Sequence, residues 1–206
     1  MIRAKICGLT DLGDALLAVE AGASALGFVF ADSPRRISAV EARAIVQGLP
    51  PLVATVGVFV DEPTSRIAET AEFVGLTSVQ LHGSEPPEAL AGLERWKVIK
   101  AFRPRRSEEL EQLRAYATAS AFLLDTYRPE RAGGTGEAFD WRLAQETKAF
   151  GKPIILAGGL TPENVARAIE LVHPFAVDVA TGVEGETPGK KDPVKLTRFL
   201  EAVRSA

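Results

Sequence analysis

The sequence contains a single cysteine, Cys7, which directly follows a short apolar run near the N-terminus, in the stretch KICG. A thiolate is a strong nucleophile and a usable base, whereas most buried thiols act only as small hydrophobic groups. If the run is a β-strand, Lys5 and Cys7 point to the same face, because side chains alternate along a strand. A nearby ammonium group favours the thiolate over the thiol. These residues alone leave the functional and the structural interpretation of Cys7 about equally open.

Two aspartates interrupt apolar runs, Asp125 at the end of FLLD and Asp178 within VDVA. Because an unpartnered carboxylate is costly to bury, each is expected to have a partner or a chemical role. For Asp178 the favoured interpretation is an ion pair with Lys5, and we hypothesise that this pair sets the electric field around Cys7. For Asp125 the alternatives are a cap on the following loop and a proton donor whose pKa is raised by apolar neighbours. The position of Asp125 slightly favours the proton donor.

Charged and glycine-rich segments follow other apolar runs. Arg35 and Arg36, in SPRRIS, can each bind a carboxylate or a phosphate through two N–H groups, although most loop arginines are merely solvated. The pairs Gly158-Gly159 and Thr181-Gly182 follow the last two apolar runs, where glycine turns expose backbone N–H groups that suit a phosphate. His82 ends the run QLH, and taken alone it is interpreted as a structural hydrogen-bonding residue.

The longest glycine-rich segment, residues 131–136, lacks the Lys-Ser/Thr ending of a P-loop, and we predict that it forms a lid beside the site. A metal site is not expected, because the one thiol and the two histidines form no spaced ligand motif.

Eight short apolar runs alternate with amphipathic stretches along the chain. The runs are rich in Val, Ile, Leu and Phe, which is typical of parallel strands buried on both faces, and they cover 2–7, 24–30, 52–60, 77–82, 97–102, 120–126, 152–158 and 175–181. The amphipathic stretches predict helices over 11–22, 38–49, 63–75, 86–96, 107–118, 140–151, 161–172 and 192–205. Polar residues expected to cap these helices are Asp11, Ser38, Thr64, Ser107, Thr161 and Asp192.

Eight strand–helix units in 206 residues predict an α/β fold, a (β/α)8 TIM barrel with parallel strands that forms one domain over residues 1–206. The alternative is an open doubly wound sheet, which usually carries fewer strands at this length, and no G-x-G-x-x-G follows the first strand. Catalytic residues of such barrels lie at the C-terminal ends of the strands. Cys7, Asp125 and the glycine pairs all fall at such ends.

Composition excludes several classes of function. A net charge of −3 argues against a nucleic-acid partner but is compatible with a small anionic ligand. No apolar run is long enough for a membrane span, and no signal peptide is recognisable. A single cysteine favours the reducing cytoplasm. The scarcity of Asn, Met and Cys beside 13 prolines suggests a thermophilic source.

Taken together, these motifs resemble the phosphoribosylanthranilate isomerase family of tryptophan biosynthesis. The matching segments follow the family order along the whole chain: KICGLT, GFVF with SPRRIS, VGVFV, QLHG, FLLDT, GGTG with FDW, LAGGLTPENV, DVATGVE and PGKKD. The combination of KICG, LLDT and GGTG is specific to the family.

The resemblance implies an Amadori rearrangement without a cofactor, which converts N-(5′-phosphoribosyl)anthranilate to 1-(o-carboxyphenylamino)-1-deoxyribulose 5-phosphate. It implies that Cys7 is the general base and Asp125 the general acid. It also implies that Arg35, and not Arg36, holds the anthranilate carboxylate. The remaining substrate-binding candidates are His82, Gly158, Gly159, Thr181 and Gly182. The partner is a small phosphosugar–anthranilate substrate, and the chain is expected to be a monomer or a homodimer.

Two positions depart from the family pattern. Glu137 stands where relatives often carry Lys or another polar residue, and Ala180 replaces a serine, which removes one hydroxyl near the phosphate. Two other functions stay open at this point. They are the related histidine-pathway isomerase, which is disfavoured because it typically has Asp at the position of Cys7, and a catalytically silent anion-binding barrel. A thiol redox protein is rejected, because it would normally need a second cysteine.

Overall fold

The computed structural model describes residues 2–125 and 141–206, which form a closed barrel of eight parallel strands in chain order. The strands are β1 (Arg3–Cys7), β2 (Ala25–Val29), β3 (Ala54–Phe59), β4 (Ser78–Leu81), β5 (Lys97–Phe102), β6 (Ala121–Asp125), β7 (Ile154–Ala157) and β8 (Ala176–Val179). β8 pairs with β1 and closes the ring, with Lys5 opposite Asp178. The predicted (β/α)8 TIM barrel is confirmed.

Helices cover the outside of the barrel. The α-helices in the described residues are α1 (Leu12–Glu20), α2 (Ala39–Gln47), α3 (Thr64–Val74), α4 (Trp141–Glu146), α5 (Val165–Val172) and α6 (Pro193–Ser205). Short 3₁₀ helices cover Pro87–Leu90, Ser107–Tyr116, Thr147–Phe150 and Thr181–Val183. Among these helices, none has the length and apolar character needed to cross a membrane.

Three of the predicted helix caps are confirmed. The side chain of Asp11 accepts a hydrogen bond from the Asp14 N–H at 3.0 Å, and Asp192 accepts from two N–H groups at the start of α6. Ser38 and Glu41 cap α2 reciprocally, each side chain accepting from the backbone N–H of the other. These caps satisfy N–H groups that the first helical turn leaves without partners.

Two of the other predicted caps are wrong. Thr64 and Ser107 are the first residues of their helices and provide no cap, and the residues before them, Pro63 and Arg106, make no capping hydrogen bond. Thr161 caps the turn that leads into α5, because its hydroxyl accepts from the Glu163 N–H at 3.2 Å and its carbonyl oxygen accepts from the Val165 N–H at 3.1 Å. The helix itself begins only at Val165, after this turn.

Two predicted helices, over 86–96 and 107–118, are 3₁₀ helices instead. The first is interrupted by Gly92, whose φ of +89° ends a helix. In the second, Leu110 and Leu113 are buried and Tyr116 packs against the barrel, so the inward-facing residues repeat every three positions. That repeat matches the three residues per turn of a 3₁₀ helix.

Alanines and branched aliphatic side chains fill the barrel interior: Val56, Ile99, Ala101, Ala121, Leu123, Ile155, Ala157 and Ala176. Above this layer the inward-facing residues become polar. Lys5, Gln80 and Asp178 are buried there, and Asp125 ends β6 on the same inward face as Leu123. The polar groups therefore collect at the C-terminal end of the barrel, where we expect the chemistry.

Candidate active site

Cys7 is buried at the end of β1 and lies beside the ion pair of Lys5 and Asp178, whose Nζ and Oδ1 atoms are 2.8 Å apart. The predicted pairing is confirmed. A glycine on the neighbouring strand makes room for these groups. An ideal Cβ on Gly27 would lie 2.8 Å from Sγ of Cys7 and 3.1 Å from Cε of Lys5. Those two atoms are consequently within about 6 Å of each other, close enough for the ammonium charge to act on the thiol.

The pKa of the Cys7 thiol is raised, because burial disfavours the thiolate more than the charge of Lys5 favours it. The expectation that Lys5 favours the thiolate is right in direction, but its effect is only a partial offset. Burial also opposes the charge on Lys5, yet the charges and hydrogen bonds of Asp178 and Cys7 together outweigh it and raise the pKa of Lys5. Lys5 therefore keeps its charge beside the thiol.

Asp125 lies at the end of β6, and β7 and β8 separate it from Cys7 around the barrel wall. Nε2 of His82 is 3.2 Å from Oδ2 of Asp125, and the amide nitrogen of Gln80 is 2.8 Å from Nδ1 of His82. An amide nitrogen donates only, so Nδ1 accepts and Nε2 carries the hydrogen that is donated to Asp125. His82 therefore makes the structural hydrogen bond that the sequence suggested, and it makes it to the proposed acid.

The pKa of Asp125 is lowered, and the expectation that apolar neighbours raise it is wrong. Burial does favour the neutral acid, but the hydrogen bond from His82 and then that of Arg103 outweigh it. Nε of Arg103 is 3.1 Å from Oδ2 of Asp125. Without a ligand, the carboxyl group of Asp125 is thus ionised at neutral pH.

Arg35 lies at the same end of the barrel but already has a carboxylate partner, Glu184. Its Nε and Nη2 atoms are each 2.6 Å from an oxygen of Glu184, and Nη2 is also 3.2 Å from Oγ1 of Thr181. Arg36, by contrast, is exposed. The loop after β2 is thereby joined to the loop after β8.

Glu184 is itself buried and surrounded by donors. Nζ of the fully buried Lys191 is 3.2 Å from Oε1 of Glu184, and the Gly189 N–H donates to the same oxygen at 3.0 Å. Burial opposes the charge of Glu184, but the hydrogen bond from Arg35 and the charge of Lys191 lower its pKa to about 2. Lys191 also donates to the carbonyl oxygen of Cys7 at 2.7 Å.

The loops after β7 and β8 meet at the glycines predicted to bind phosphate. A Cβ on Gly182 would lie 1.9 Å from the carbonyl oxygen of Leu160, so only glycine allows this approach. Gly158 and Gly159 have φ values of +83° and +66°, and a Cβ on Gly159 would meet nothing within 4 Å. The backbone near Gly159 therefore borders open space.

The structure brings the predicted residues together at one end of the barrel, but sequence reasoning missed four participants: Gly27, Arg103, Glu184 and Lys191. A glycine inside a strand is a usable signal of close approach, and it could have identified Gly27. Glu184 and Lys191 lie within the family segments DVATGVE and PGKKD, but their contacts with Arg35 and Cys7 join distant parts of the chain. The predicted lid over 131–136 and Glu137 lie outside the described residues.

Comparison with known proteins adds independent evidence. The family model described as N-(5′-phosphoribosyl)anthranilate (PRA) isomerase matches residues 4–202. An N-(5′-phosphoribosyl)anthranilate isomerase from Moorella thermoacetica is 52% identical over 206 residues, which is 100% of this chain and 91% of the relative.

Two solved structures align over 100% of both chains. One is a phosphoribosyl anthranilate isomerase in complex with reduced 1-(o-carboxyphenylamino)-1-deoxyribulose 5-phosphate, with a TM-score of 0.89 and 43% identity. The other is a monomer generated from the dimeric phosphoribosylanthranilate isomerase of Thermotoga maritima, with a TM-score of 0.88 and 42% identity.

Proposed function

This chain belongs to the N-(5′-phosphoribosyl)anthranilate isomerase family, and we propose that it performs the family's reaction with Cys7 as general base and Asp125 as general acid. The activity is the isomerisation of N-(5′-phosphoribosyl)anthranilate in tryptophan biosynthesis. The observation that carries the assignment of roles is the placement of one thiol and one carboxylate at strand ends across the same barrel mouth.

The first step in this proposal is ring opening. Asp125 in its neutral form donates a proton to the ring oxygen of the ribose, and the C1′–O bond breaks to give a Schiff base with the anthranilate nitrogen. Because Asp125 is ionised in the free chain, it must gain a proton before or during binding. Arg103 is largely exposed, so its contact with Asp125 is weak enough for a ligand to displace. Loss of that contact and exclusion of water both favour the neutral acid.

The second step is proton removal at C2′. The Cys7 thiolate takes this proton and produces an enolamine, and tautomerisation then moves the C2′ hydroxyl proton so that C1′ is protonated and C2′ becomes a carbonyl. Protons balance, since one is given to the ring oxygen and one is received by Cys7. The charge of Lys5 supports the thiolate, while burial keeps the thiolate a minor species at neutral pH. Each positioned acid or base is typically worth ~10²–10⁴ in rate.

The substrate's two anionic groups give the remaining candidates their roles. Arg35 holds the anthranilate carboxylate, and Gly158, Gly159, Thr181 and Gly182 hold the phosphate. Supporting this, the ligand of the related complex carries both a carboxyphenyl group and a 5-phosphate. His82 orients Asp125 through its hydrogen bond and is the remaining substrate-binding candidate beside the acid. Because Ala180 supplies no hydroxyl, Thr181 is the hydroxyl donor expected on the loop after β8.

The cellular location and the oligomeric state of the enzyme are also part of the proposal. A catalytic thiol must stay reduced, so we infer that the chain works in the cytoplasm; Cys7 is a free thiol in the structure. We also infer that residues 1–206 act as one catalytic domain, either as a monomer or as a homodimer. The dimeric relative supports the second state.

The test is the loss of anthranilate-linked fluorescence with substrate generated in situ. Wild type is compared with Asp125→Asn and with Glu20→Gln, a charge-removing control on the exposed end of α1. We expect Asp125→Asn to lower kcat by ~10²–10⁴ and Glu20→Gln to leave it unchanged. Near-wild-type turnover of Asp125→Asn would contradict its role as the acid. If the wild-type protein shows no turnover, the proposed isomerase activity itself would be contradicted.

A further inference from the structure

We propose that Glu184 is a positioning residue, which directs one edge of the Arg35 guanidinium toward the substrate carboxylate and connects that arginine to the backbone of Cys7. The inference rests on the proposed role of Arg35. It assigns a function to a buried carboxylate that the acid–base reaction itself does not use.

The stereochemistry of the Arg35–Glu184 pair leaves a defined edge free. A guanidinium can bind a carboxylate along its Nε/Nη2 edge or along its Nη1/Nη2 edge. Glu184 takes the first edge with two contacts of 2.6 Å. Within residues 2–125 and 141–206, Nη1 has no hydrogen-bond partner, and the second Nη2 hydrogen makes only the 3.2 Å contact with Thr181. A carboxylate arriving end-on thus needs to displace one weak contact and not the ion pair.

The stem of Arg35 is fixed from below. Gly8 has a φ of +73°, and a Cβ at that position would lie 2.5 Å from Cδ of Arg35. The arginine therefore lies directly on the turn that follows Cys7. With its stem on this turn and one edge on Glu184, the guanidinium has little rotational freedom left to lose when a ligand binds.

Several contacts fix the position of Glu184. It is 4% exposed, Lys191 and the Gly189 N–H contact its Oε1, and Lys195 donates to its carbonyl oxygen at 2.8 Å. Lys191, with no exposed side-chain surface, also donates to the Cys7 carbonyl oxygen at 2.7 Å. A continuous path of contacts thus runs from Arg35 to the proposed base.

The charges of this group suit an anionic ligand. Two basic side chains, Arg35 and Lys191, contact one carboxylate. Burial lowers the pKa of Lys191, and the charge of Glu184 opposes that shift. Glu184 thus divides its contacts between two basic groups, and Arg35 keeps an attraction for a second carboxylate. The test therefore separates the orientation of Arg35 from the contribution of the ion pair to stability.

The test uses two probes that differ by one group. The first is reduced 1-(o-carboxyphenylamino)-1-deoxyribulose 5-phosphate, and the second is the same molecule with phenyl in place of carboxyphenyl. Their affinities are measured by calorimetry for wild type, Glu184→Gln, Arg35→Met and the double variant. Glu186→Gln, an exposed neighbour in the same loop, is the matched control. Glu184→Asp keeps the charge beside Lys191 but shortens the reach, and it replaces Glu184→Gln if that variant does not fold.

We expect Glu184→Gln to weaken binding of the carboxylated probe about tenfold, equivalent to about 1.4 kcal/mol. Its affinity for the phenyl probe should stay within about twofold of that of wild type. KM should rise in the same proportion while kcat changes little. The double variant should bind the carboxylated probe no more weakly than Arg35→Met does. The inference would be overturned if Glu184→Gln weakened binding of both probes equally, or of neither, while Arg35→Met still weakened binding of the carboxylated probe more than that of the phenyl probe. If Arg35→Met does not discriminate either, the proposed role of Arg35 fails together with the inference.

Discussion

Replacing Lys5 by Met tests how the barrel controls its only thiol. The substitution keeps a similar length and removes the ammonium group of Lys5, whose Cε carbon lies within about 6 Å of Sγ of Cys7. Because Lys5 lowers the pKa of Cys7 against the effect of burial, its removal must raise that pKa further. One opposite charge at this range typically changes the ratio of thiolate to thiol at least about tenfold. The thiolate fraction at neutral pH should fall by that factor.

The assay is the rate of alkylation by iodoacetamide across pH, and with one cysteine in the chain the signal comes from Cys7 alone. Wild type and Lys5→Met are compared, together with Lys5→Met/Asp178→Asn. Removing Lys5 alone leaves Asp178 buried without its partner, and its negative charge disfavours the thiolate too. The double variant should therefore react faster than Lys5→Met but more slowly than wild type.

Folding must be confirmed for each variant, since breaking a buried ion pair costs about 3–5 kcal/mol. Circular dichroism and denaturant unfolding provide that control. A folded Lys5→Met protein whose alkylation profile matches wild type at every pH would show that Lys5 has no influence on the thiol.

Three further predictions concern the neighbourhood of the acid and the packing of the site. Arg103→Gln removes a contact with the ionised form of Asp125 and should raise the pKa of Asp125. The acid limb of the kcat/KM profile should therefore move to higher pH, most clearly at low ionic strength. An acid limb that stays in place would contradict the role of this contact. Gly27→Ala places a Cβ against the thiol and should destabilise the chain by about 1–3 kcal/mol in urea unfolding, and unchanged stability would show that the site has spare room. Lys100→Met leaves Glu85, buried and 2.8 Å from Nζ of Lys100, without its cation; we expect a loss of about 3–5 kcal/mol in the same assay, and a loss below about 1 kcal/mol would mean that the pair contributes little.

The architecture was predictable because its signals are local and repeated. Alternating apolar runs and amphipathic stretches define the strand–helix units, and barrel closure follows from their number. Closure in turn places β8 beside β1, which is why the pairing of Lys5 with Asp178 was predictable from two residues far apart in the chain. The two predicted α-helices that proved to be 3₁₀ helices depend on local backbone geometry, such as the φ of +89° at Gly92, that competes with α-helix formation.

The charge states of the site were harder to predict. The pKa of Asp125 is set by His82 and Arg103, which follow two other strands, so the apolar character of its own strand gave the wrong direction. Similarly, nothing near Arg35 in the sequence indicates that Glu184 binds it, because 149 positions separate them. Contacts between strand-end loops are a property of the closed barrel and not of any one segment.

The role of Cys7 as the base is best tested by the turnover of Cys7→Ser in the fluorescence assay. Serine keeps nearly the same size but provides no accessible anion at neutral pH, so the folded barrel and its substrate-binding residues remain. We expect a fall in kcat of at least about 10²-fold with KM nearly unchanged. Turnover close to that of wild type would contradict it, and Cys7 would then be only a buried hydrophobic residue at the end of β1.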